Sequence, residues 1–330
     1  MNIYLTFDYE LFFGSNTGTV QKCLIEPTNQ FLEMADKYGV KAVFFIDIGY
    51  LSRLQELQND HPALKKDYEL VAEHLNEIKS KGHDLQLHIH PHWEDAIFEN
   101  GKWQLKVEGR YKLSDFPKDK AAEIIEKYAN LLNSVRGSMA DTFRAGGWCI
   151  QPFDHIREAL FKVGVRKDSS VFPGAHFEAG EYSFDFRKAP DKDEYRFNSD
   201  VCVEEPGDFA EFPISSKRYS PLFYWRLYIL GRLNPTDHKM LGNGNFIPQP
   251  GRKKSVLTGF TWNHVSCDGY YTSVLDSTLV QMERRGRNNI VIIGHPKSFT
   301  RYSLKKMDEF MRLNHEKHQF VTFSEQNENN

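Results

Sequence analysis

Residues 82–92 read Gly82-His83-Asp84-Leu85-Gln86-Leu87-His88-Ile89-His90-Pro91-His92. Gly82 stops a stretch of helical periodicity that begins near Asp67. The stretch that follows, Asp84 to Ile89, with Leu85, Leu87 and Ile89 apolar, reads as a buried strand. Pro91 lacks an amide proton and disfavours a helix through the cluster, so the strand runs out into a loop. Three histidines crowd that loop's first positions, and imidazole is the commonest neutral ligand for a borderline metal ion. Helix, buried strand and ligand-bearing loop together predict one unit of a parallel α/β sheet, with chemistry at the C-terminal strand ends.

The same alternation extends outward. Residues 2–7 read as a strand, Pro27 to Lys37 as a helix closed by Gly39, and Lys41 to Ile46 as a strand. Residues 94–116 interrupt the pattern, with Glu99-Asn100-Gly101-Lys102 as a hairpin turn. A helix then runs to about Val135, followed by strand 141–144, helix 152–163 and strand 165–168. Residues 172–250, rich in Pro, Gly, Asp and aromatics, read as an insertion forming a lid or part of the substrate side. Alternation resumes with strand 256–261, helix 272–285, strand 289–293, helix 303–315 and strand 319–323, and Asn327 to Asn330 form a polar tail. Repeated βα units with right-handed crossovers predict a closed or nearly closed barrel of seven core strands, within a single domain spanning 1–330.

Composition narrows the function. The chain has 330 residues, 40% of them apolar, enough for a sizeable core. Its net charge of −3 gives no footprint for nucleic acid, so none is expected as a partner. Cys23, Cys149, Cys202 and Cys267 are widely spaced and form no CxxC pair, which fits a reducing compartment. Met1 leads directly into a strand, with no basic and apolar leader, and no stretch approaches the length of a spanning helix. Cytoplasmic localisation is the expectation.

Other strand ends carry chemistry. On extended backbone, Asp8 and Glu10 point to the same side, a costly arrangement unless a cation or metal joins them. His88 with His92, or His88 with His90, can chelate; the alternative is that one or two of the three only pack. Arg144, before Gly146 and Gly147, can pair with a buried carboxylate. Asp168 and His295 close two further strands, and a carboxylate on an imidazole orients it and raises its basicity.

Taken in order, these motifs resemble those of the polysaccharide deacetylase family, the NodB-homology or carbohydrate esterase 4 fold. Thr6-Phe7-Asp8 is similar to its first motif and Gly82-His83-Asp84-Leu85 with His88 and His92 to its second. Phe143-Arg144, Asp168-Ser169-Ser170 and Ile293-Gly294-His295 are similar to the third, fourth and fifth. The likeness spans residues 1–170 and 256–325. It implies an α/β fold, a distorted (β/α)7 barrel, and metal-dependent removal of an N- or O-acetyl group from a sugar. By motif position, Asp8 is the implied base and His295 the acid, with Arg144 tethering Asp8 and Asp168 orienting His295. His88 and His92 are implied metal ligands. Tyr9 stands where the family's usual metal carboxylate would be, so Glu10 is read as the third ligand. Gly147 or a neighbour is the implied oxyanion donor, in a loop lacking the family's usual prolines and tyrosine. Trp148, Trp262 and His264 are candidate substrate contacts, and Asp268, after strand 256–261, is a further pocket candidate. The cofactor implied is one divalent ion, zinc in the first instance, with cobalt, nickel and iron also suited to two histidines and a carboxylate.

The substrate expected from the localisation is an acetylated, intracellular nucleotide- or lipid-linked sugar, a precursor of a bacterial surface glycan such as lipopolysaccharide. Residues 219–233, apolar and aromatic with Arg226 and Arg232, suit peripheral contact with the inner membrane face. A lid on the barrel or a dimer contact is the plainer reading of that segment. A non-catalytic sugar-binding protein on the same fold is the main alternative function. A glycosidase fits poorly, because Asp8 and Glu10 share one strand and cannot flank a glycosidic bond. An amidohydrolase-type site places its His-x-His after the first strand, whereas here it follows the third.

Overall fold

Three strands bearing candidate site residues are buried on both faces, one against the outer helices and the other towards the barrel interior. They are β1 (Asn2–Tyr9), β2 (Val43–Asp47) and β3 (Asp84–Ile89). The computed structural model describes residues 1–180 and 182–325, so the polar tail lies outside the described residues. The remaining strands are β4 (Ile97–Glu99), β5 (Lys102–Gln104), β6 (Thr142–Ala145), β7 (Lys167–Asp168), β8 (His176–Ala179), β9 (Tyr182–Asp185), β10 (Tyr195–Phe197), β11 (Phe209–Glu211), β12 (Ser216–Tyr219), β13 (Thr261–His264), β14 (Asn289–Gly294) and β15 (Gln319–Phe320). The helices are α1 (Glu26–Tyr38), α2 (Ile48–Leu57), α3 (Pro62–Ser80), α4 (Lys118–Arg136), α5 (Arg157–Lys162), α6 (Pro221–Leu233), α7 (Pro235–His238), α8 (Arg252–Thr258), α9 (Leu275–Arg284) and α10 (Arg301–Asn314).

The main sheet runs β10-β11-β7-β6-β3-β2-β1-β14, with β15 also paired to β1. All these pairings are parallel except β10 with β11. Beyond β11 the sheet curls back through irregular backbone. Ile214 N–H donates to Val171 O at 2.8 Å and Ser215 N–H to Val291 O at 2.9 Å. Val265 N–H donates to Ser215 O at 2.7 Å, and Ile293 N–H to Val265 O at 3.1 Å. The result is a distorted α/β barrel. Its N-terminal end is plugged by aromatics: Phe323 stacks on Tyr4 at 4.9 Å and meets Phe212 at 5.3 Å. α1 packs outside, with Phe31 edge-on to Phe7 at 4.5 Å. Each such buried ring contributes about 1.5–3 kcal/mol of apolar transfer free energy.

Several elements depart from the sequence reading. The strand expected at 256–261 is a helix at its start: Val256 and Leu257 pack with Tyr219 and Tyr224, and the helix α8 precedes β13. β13 pairs with β12 in a separate two-stranded sheet. β11 takes a place in the main sheet, so the segment 172–250 read as an insertion supplies two barrel-sheet strands, β10 and β11. The helix expected at 152–163 begins as a 3₁₀ turn and is helical only over Arg157–Lys162. α2 was not anticipated. The hairpin of β4 and β5 does turn at Asn100 and Gly101, both at positive φ (52° and 73°), as a two-residue hairpin turn requires. The four cysteines are free. Among the described residues, no helix is long and apolar enough to cross a membrane.

Candidate active site

Strand alternation builds the site. Along β1, Thr6 and Asp8 share one face, and along β3 so do Gln86 and His88, with Glu10 and His90 continuing each series past the strand end. Parallel register sets His88 beside Asp47 on one side and Arg144 on the other. All these groups are buried.

Arg144 organises the floor. Its side chain is 0% exposed. Nη1 donates to Asp8 Oδ1 at 2.7 Å, Nη2 to Thr6 Oγ1 at 3.0 Å and Ser169 Oγ at 3.1 Å, and Nε to Ser169 O at 2.7 Å. The guanidinium also lies 4.0 Å from the Phe45 ring centroid. Burial works to raise the Asp8 pKa, but Arg144, then His88 and His295, outweigh it, so Asp8 is held below the usual carboxylate range. With Oδ1 engaged, Oδ2 faces His295 Nε2 at 3.6 Å and His88 Nε2 at 3.9 Å.

The donor atoms that converge are those of Glu10, His88 and His90. Glu10 Oε2 lies 3.1 Å from His88 Nε2 and 2.6 Å from His90 Nε2. His88 Nδ1–H donates to Arg144 O at 2.8 Å, which fixes its tautomer and turns Nε2 to the site. Burial lowers the His90 pKa to about 4, leaving a neutral ring. Neither His90 nitrogen has a hydrogen-bond partner, the short approach to Glu10 lacking hydrogen-bond geometry. Two imidazole nitrogens and a carboxylate oxygen converging in a buried site are a donor set that suits a divalent ion, so these three residues fit a metal ion.

His92, expected as a ligand, is not in this group. Pro91 opens a 3₁₀ turn over Pro91–Asp95, which takes His92 out of the strand alternation. Its ring packs against Phe13 at 4.6 Å and Tyr111 at 6.4 Å, and both its nitrogens are buried without a hydrogen-bond partner.

A second correction concerns His295. Its orienting carboxylate is Asp268, not Asp168. His295 Nδ1–H donates to Asp268 Oδ2 and its backbone N–H to Asp268 Oδ1, each at 2.7 Å. The chain after β13 runs beside β14, bridged at Ser266 and Ile293, and this delivers Asp268. Burial would lower the His295 pKa, but Asp268 and then Asp8 raise it above the ordinary imidazole value.

Asp168 instead shapes the loop that cradles Arg144. It accepts from Ser170 N–H at 2.9 Å and Ser170 Oγ–H at 2.8 Å, while Ala145 N–H donates to Ser170 Oγ at 2.9 Å. Its neighbour is Glu211, opposite it in the β7–β11 register. Burial, then the charge of Asp168, pushes the Glu211 carboxyl well above the usual carboxylate range, which favours its protonated form. With the folded pKa raised, the associated stability is present below the unfolded value, about 4.3, and is lost as pH rises through the folded value. Glu211→Gln keeps a donor and removes that titration. Its Tm is expected to fall less than the wild-type Tm between about pH 5 and pH 9. Parallel Tm profiles by calorimetry would show that the proton is not there.

A cavity of about 680 Å³ joins these groups to the surface. Gly147, Trp148 and His264 line it, whereas Trp262 is 43% exposed and packs over Gly174 outside it. Gly147 and Trp148 both hold positive φ (58° and 60°), a strained choice for tryptophan that persists where packing over-determines it. Trp148 stands edge to face with His295 at 6.3 Å and against His264 at 5.1 Å. Gly146 admits no side chain, because a Cβ there would sit 2.7 Å from His90 Nδ1.

No family model and no curated protein matches the sequence. Among solved structures, the chain is similar to a Mycobacterium smegmatis protein assigned as a polysaccharide deacetylase. The TM-score is 0.50 at 14% identity, over 99% of this chain and 89% of that chain. The fold is that of the polysaccharide deacetylases. The catalytic domain of a peptidoglycan N-acetylglucosamine deacetylase from Eubacterium rectale is similar at TM-score 0.41 and 14% identity, covering 98% and 89%. A Bacillus cereus polysaccharide deacetylase is similar at 0.37 and 12%, covering 97% and 91%.

On this deacetylase fold, the site holds residues that sequence reasoning did not assign to it. Lys297 is 2% exposed, and its Nζ donates to Glu10 Oε1 at 2.8 Å and Leu11 O at 2.5 Å. Burial would raise the Glu10 pKa, but Lys297, then His90 and His88, hold it well below the usual range. Asp47 accepts from Trp93 Nε1–H at 2.6 Å, and burial lifts its pKa to about 7. Asp47 ends β2 and Lys297 follows β14, a signal available in the sequence. Lys297, two residues beyond His295, lies among residues the motif pattern does not cover.

Proposed function

We propose that the protein is a metal-dependent hydrolase that removes an N-acetyl or other short N-acyl group from a sugar. The observation that carries this reading is the opposition of Asp8 and His295 across 3.6 Å, each held by its own partner beside Glu10, His88 and His90. Base and acid are thereby set apart by environment: a carboxylate kept ionised by Arg144 and an imidazole kept protonated by Asp268.

Glu10, His88 and His90 would hold the ion, which supplies Lewis-acid polarisation of the acyl oxygen and a more acidic bound water. Asp8 Oδ2 takes the proton of the attacking water, while Arg144 keeps Oδ1 from turning. An amide N–H of the Gly147–Trp148 turn faces the acyl oxyanion. His295 Nε2 passes its proton to the departing amine, and Asp268 stabilises the imidazolium meanwhile. Trp148 and His264 wall the acyl group from water.

The substrate we propose is an intracellular nucleotide- or lipid-linked N-acetylated sugar used in a bacterial surface glycan, handled in the cytoplasm. Support for contact with a membrane face comes from α6. Leu222, Trp225, Ile229 and Leu233 follow one helical face and are 47–79% exposed, with Arg226 and Arg232 exposed beside them.

The test is acetate release from a panel of free, nucleotide-linked and lipid-linked N-acetyl sugars, with metal analysis of the protein. Release that stops with chelator and returns with zinc, cobalt, nickel or iron supports the reading. No release under any of these conditions would leave a sugar-binding protein, a reading favoured by Lys297, a cation already seated on Glu10. Metal content also separates the histidines. His90→Ala is expected to lose stoichiometric metal after dialysis, and His92→Ala to retain it; the reverse pattern would return the ligand to His92.

A further inference from the structure

The outer wall of the cavity differs from its floor. Asp8, Glu10 and Asp268 line the floor, and each is already engaged by Arg144, Lys297 or His295. Arg232 from α6 and Arg252 and Lys253 from α8 line the wall, and among the described residues none of the three forms an ion pair. Arg252 Nη1 donates to Gln249 Oε1 at 2.6 Å, and its guanidinium lies 5.3 Å from the Phe177 ring centroid. Lys253 Nζ lies 4.9 Å from the Tyr228 ring centroid. Among the described residues, neutral partners hold these two side chains.

Three like charges line one cavity. Arg252 and Lys253 also occupy the first turn of α8, which carries no acid there, and the helix dipole disfavours cations at that end. Local choices that oppose the fold's own preference concentrate where a ligand repays them. The chain as a whole is slightly acidic, at −3, so the cluster is not a general surface bias.

We infer that Arg232, Arg252 and Lys253 form a subsite for a diphosphate or phosphate ester carried by the acylated sugar. Guanidinium groups match phosphate oxygens in a bidentate fork, and an ammonium adds a point charge. The cavity then reads the substrate in two parts, the acyl-sugar at the floor and the anion at the wall. The inference rests on the sugar-hydrolase reading for the identity of the floor group, but the anion subsite is testable without turnover.

Binding of inorganic pyrophosphate is measured by calorimetry for the wild-type protein and for the triple variant Arg232→Gln, Arg252→Gln, Lys253→Gln. Wild-type binding weakened by at least about 10- to 100-fold in the variant, the scale of a single charged hydrogen bond, is the expected result. Absence of wild-type binding, or equal binding by both proteins, overturns the subsite whether or not the protein releases acetate. With active protein, the variant should raise KM for a diphosphate-linked N-acetyl sugar and leave kcat, and KM for a neutral N-acetyl oligosaccharide, unchanged. Should the variant fail to fold, wild-type KM is followed against salt. A rise confined to the diphosphate-linked substrate supports the subsite, and equal salt dependence for both substrates refutes it. Running a soluble nucleoside diphosphate sugar beside a lipid diphosphate sugar then tells which source supplies the anion.

Discussion

Asp8→Asn is expected to lower kcat for N-acetyl-sugar hydrolysis by about 10²- to 10⁴-fold, the usual contribution of a positioned general base. Asparagine keeps the shape and an acceptor for Arg144, but it cannot take a proton. Metal content should not change, because Glu10, His88 and His90 carry the converging donor atoms. The Asp8 carboxylate sits 3.6 Å from His295 Nε2 and also raises that residue's pKa, so the variant should titrate its acid at lower pH. The measurement is a pH profile of residual kcat together with bound metal per chain. Wild-type turnover in Asp8→Asn would remove Asp8 as base, and unchanged sugar affinity with no turnover in either protein would mark a binding protein.

Arg144→Met is expected to cost about 3–5 kcal/mol of stability, the scale for breaking a buried ion pair by removing one partner. Methionine fills part of the arginine's volume but leaves Asp8, 3% exposed, without its strongest counter-charge. Thr6 Oγ1 and the carbonyl of Ser169 lose their donors as well. Adding Asp8→Leu removes the stranded charge and should recover much of the loss, because an apolar replacement of both partners is often neutral. Urea denaturation of the two single variants and the double variant gives the coupling directly. A cost below about 1 kcal/mol for Arg144→Met would mean that water reaches the guanidinium and that the pair is not held as described.

Where the site came from local pattern, it was legible. The run from Asp84 to Ile89 alternates polar and apolar residues, with Leu85, Leu87 and Ile89 on one face, as a strand does, and it is one. Alternation placed Asp8 and Glu10 on one face, and a glycine-flanked arginine at a strand end suggested a buried carboxylate partner. Asp8 and Arg144 meet at 2.7 Å. Where spacing borrowed from a motif had to stand in for geometry, the reading failed. His92 is four residues from His88 in the expected pattern, but the turn begun at Pro91 sends its ring to Phe13 and Tyr111. Asp168 occupies a strand end as expected, yet the curled sheet sets it against Glu211, and the loop after β13 brings Asp268 to His295.

The sequence by itself determined the alternating βα architecture and the faces on which Asp8, Glu10, His88 and Arg144 would lie, because strand period and helix punctuation act between near neighbours. Only the tertiary structure decided who partners whom. Lys297 reaches Glu10 across 287 positions, and Asp268 reaches His295 by way of a segment outside the main strands. Such pairings depend on how the barrel closes, since burial in a shared, water-poor floor leaves each charge only the counter-charge that the closing backbone brings to it.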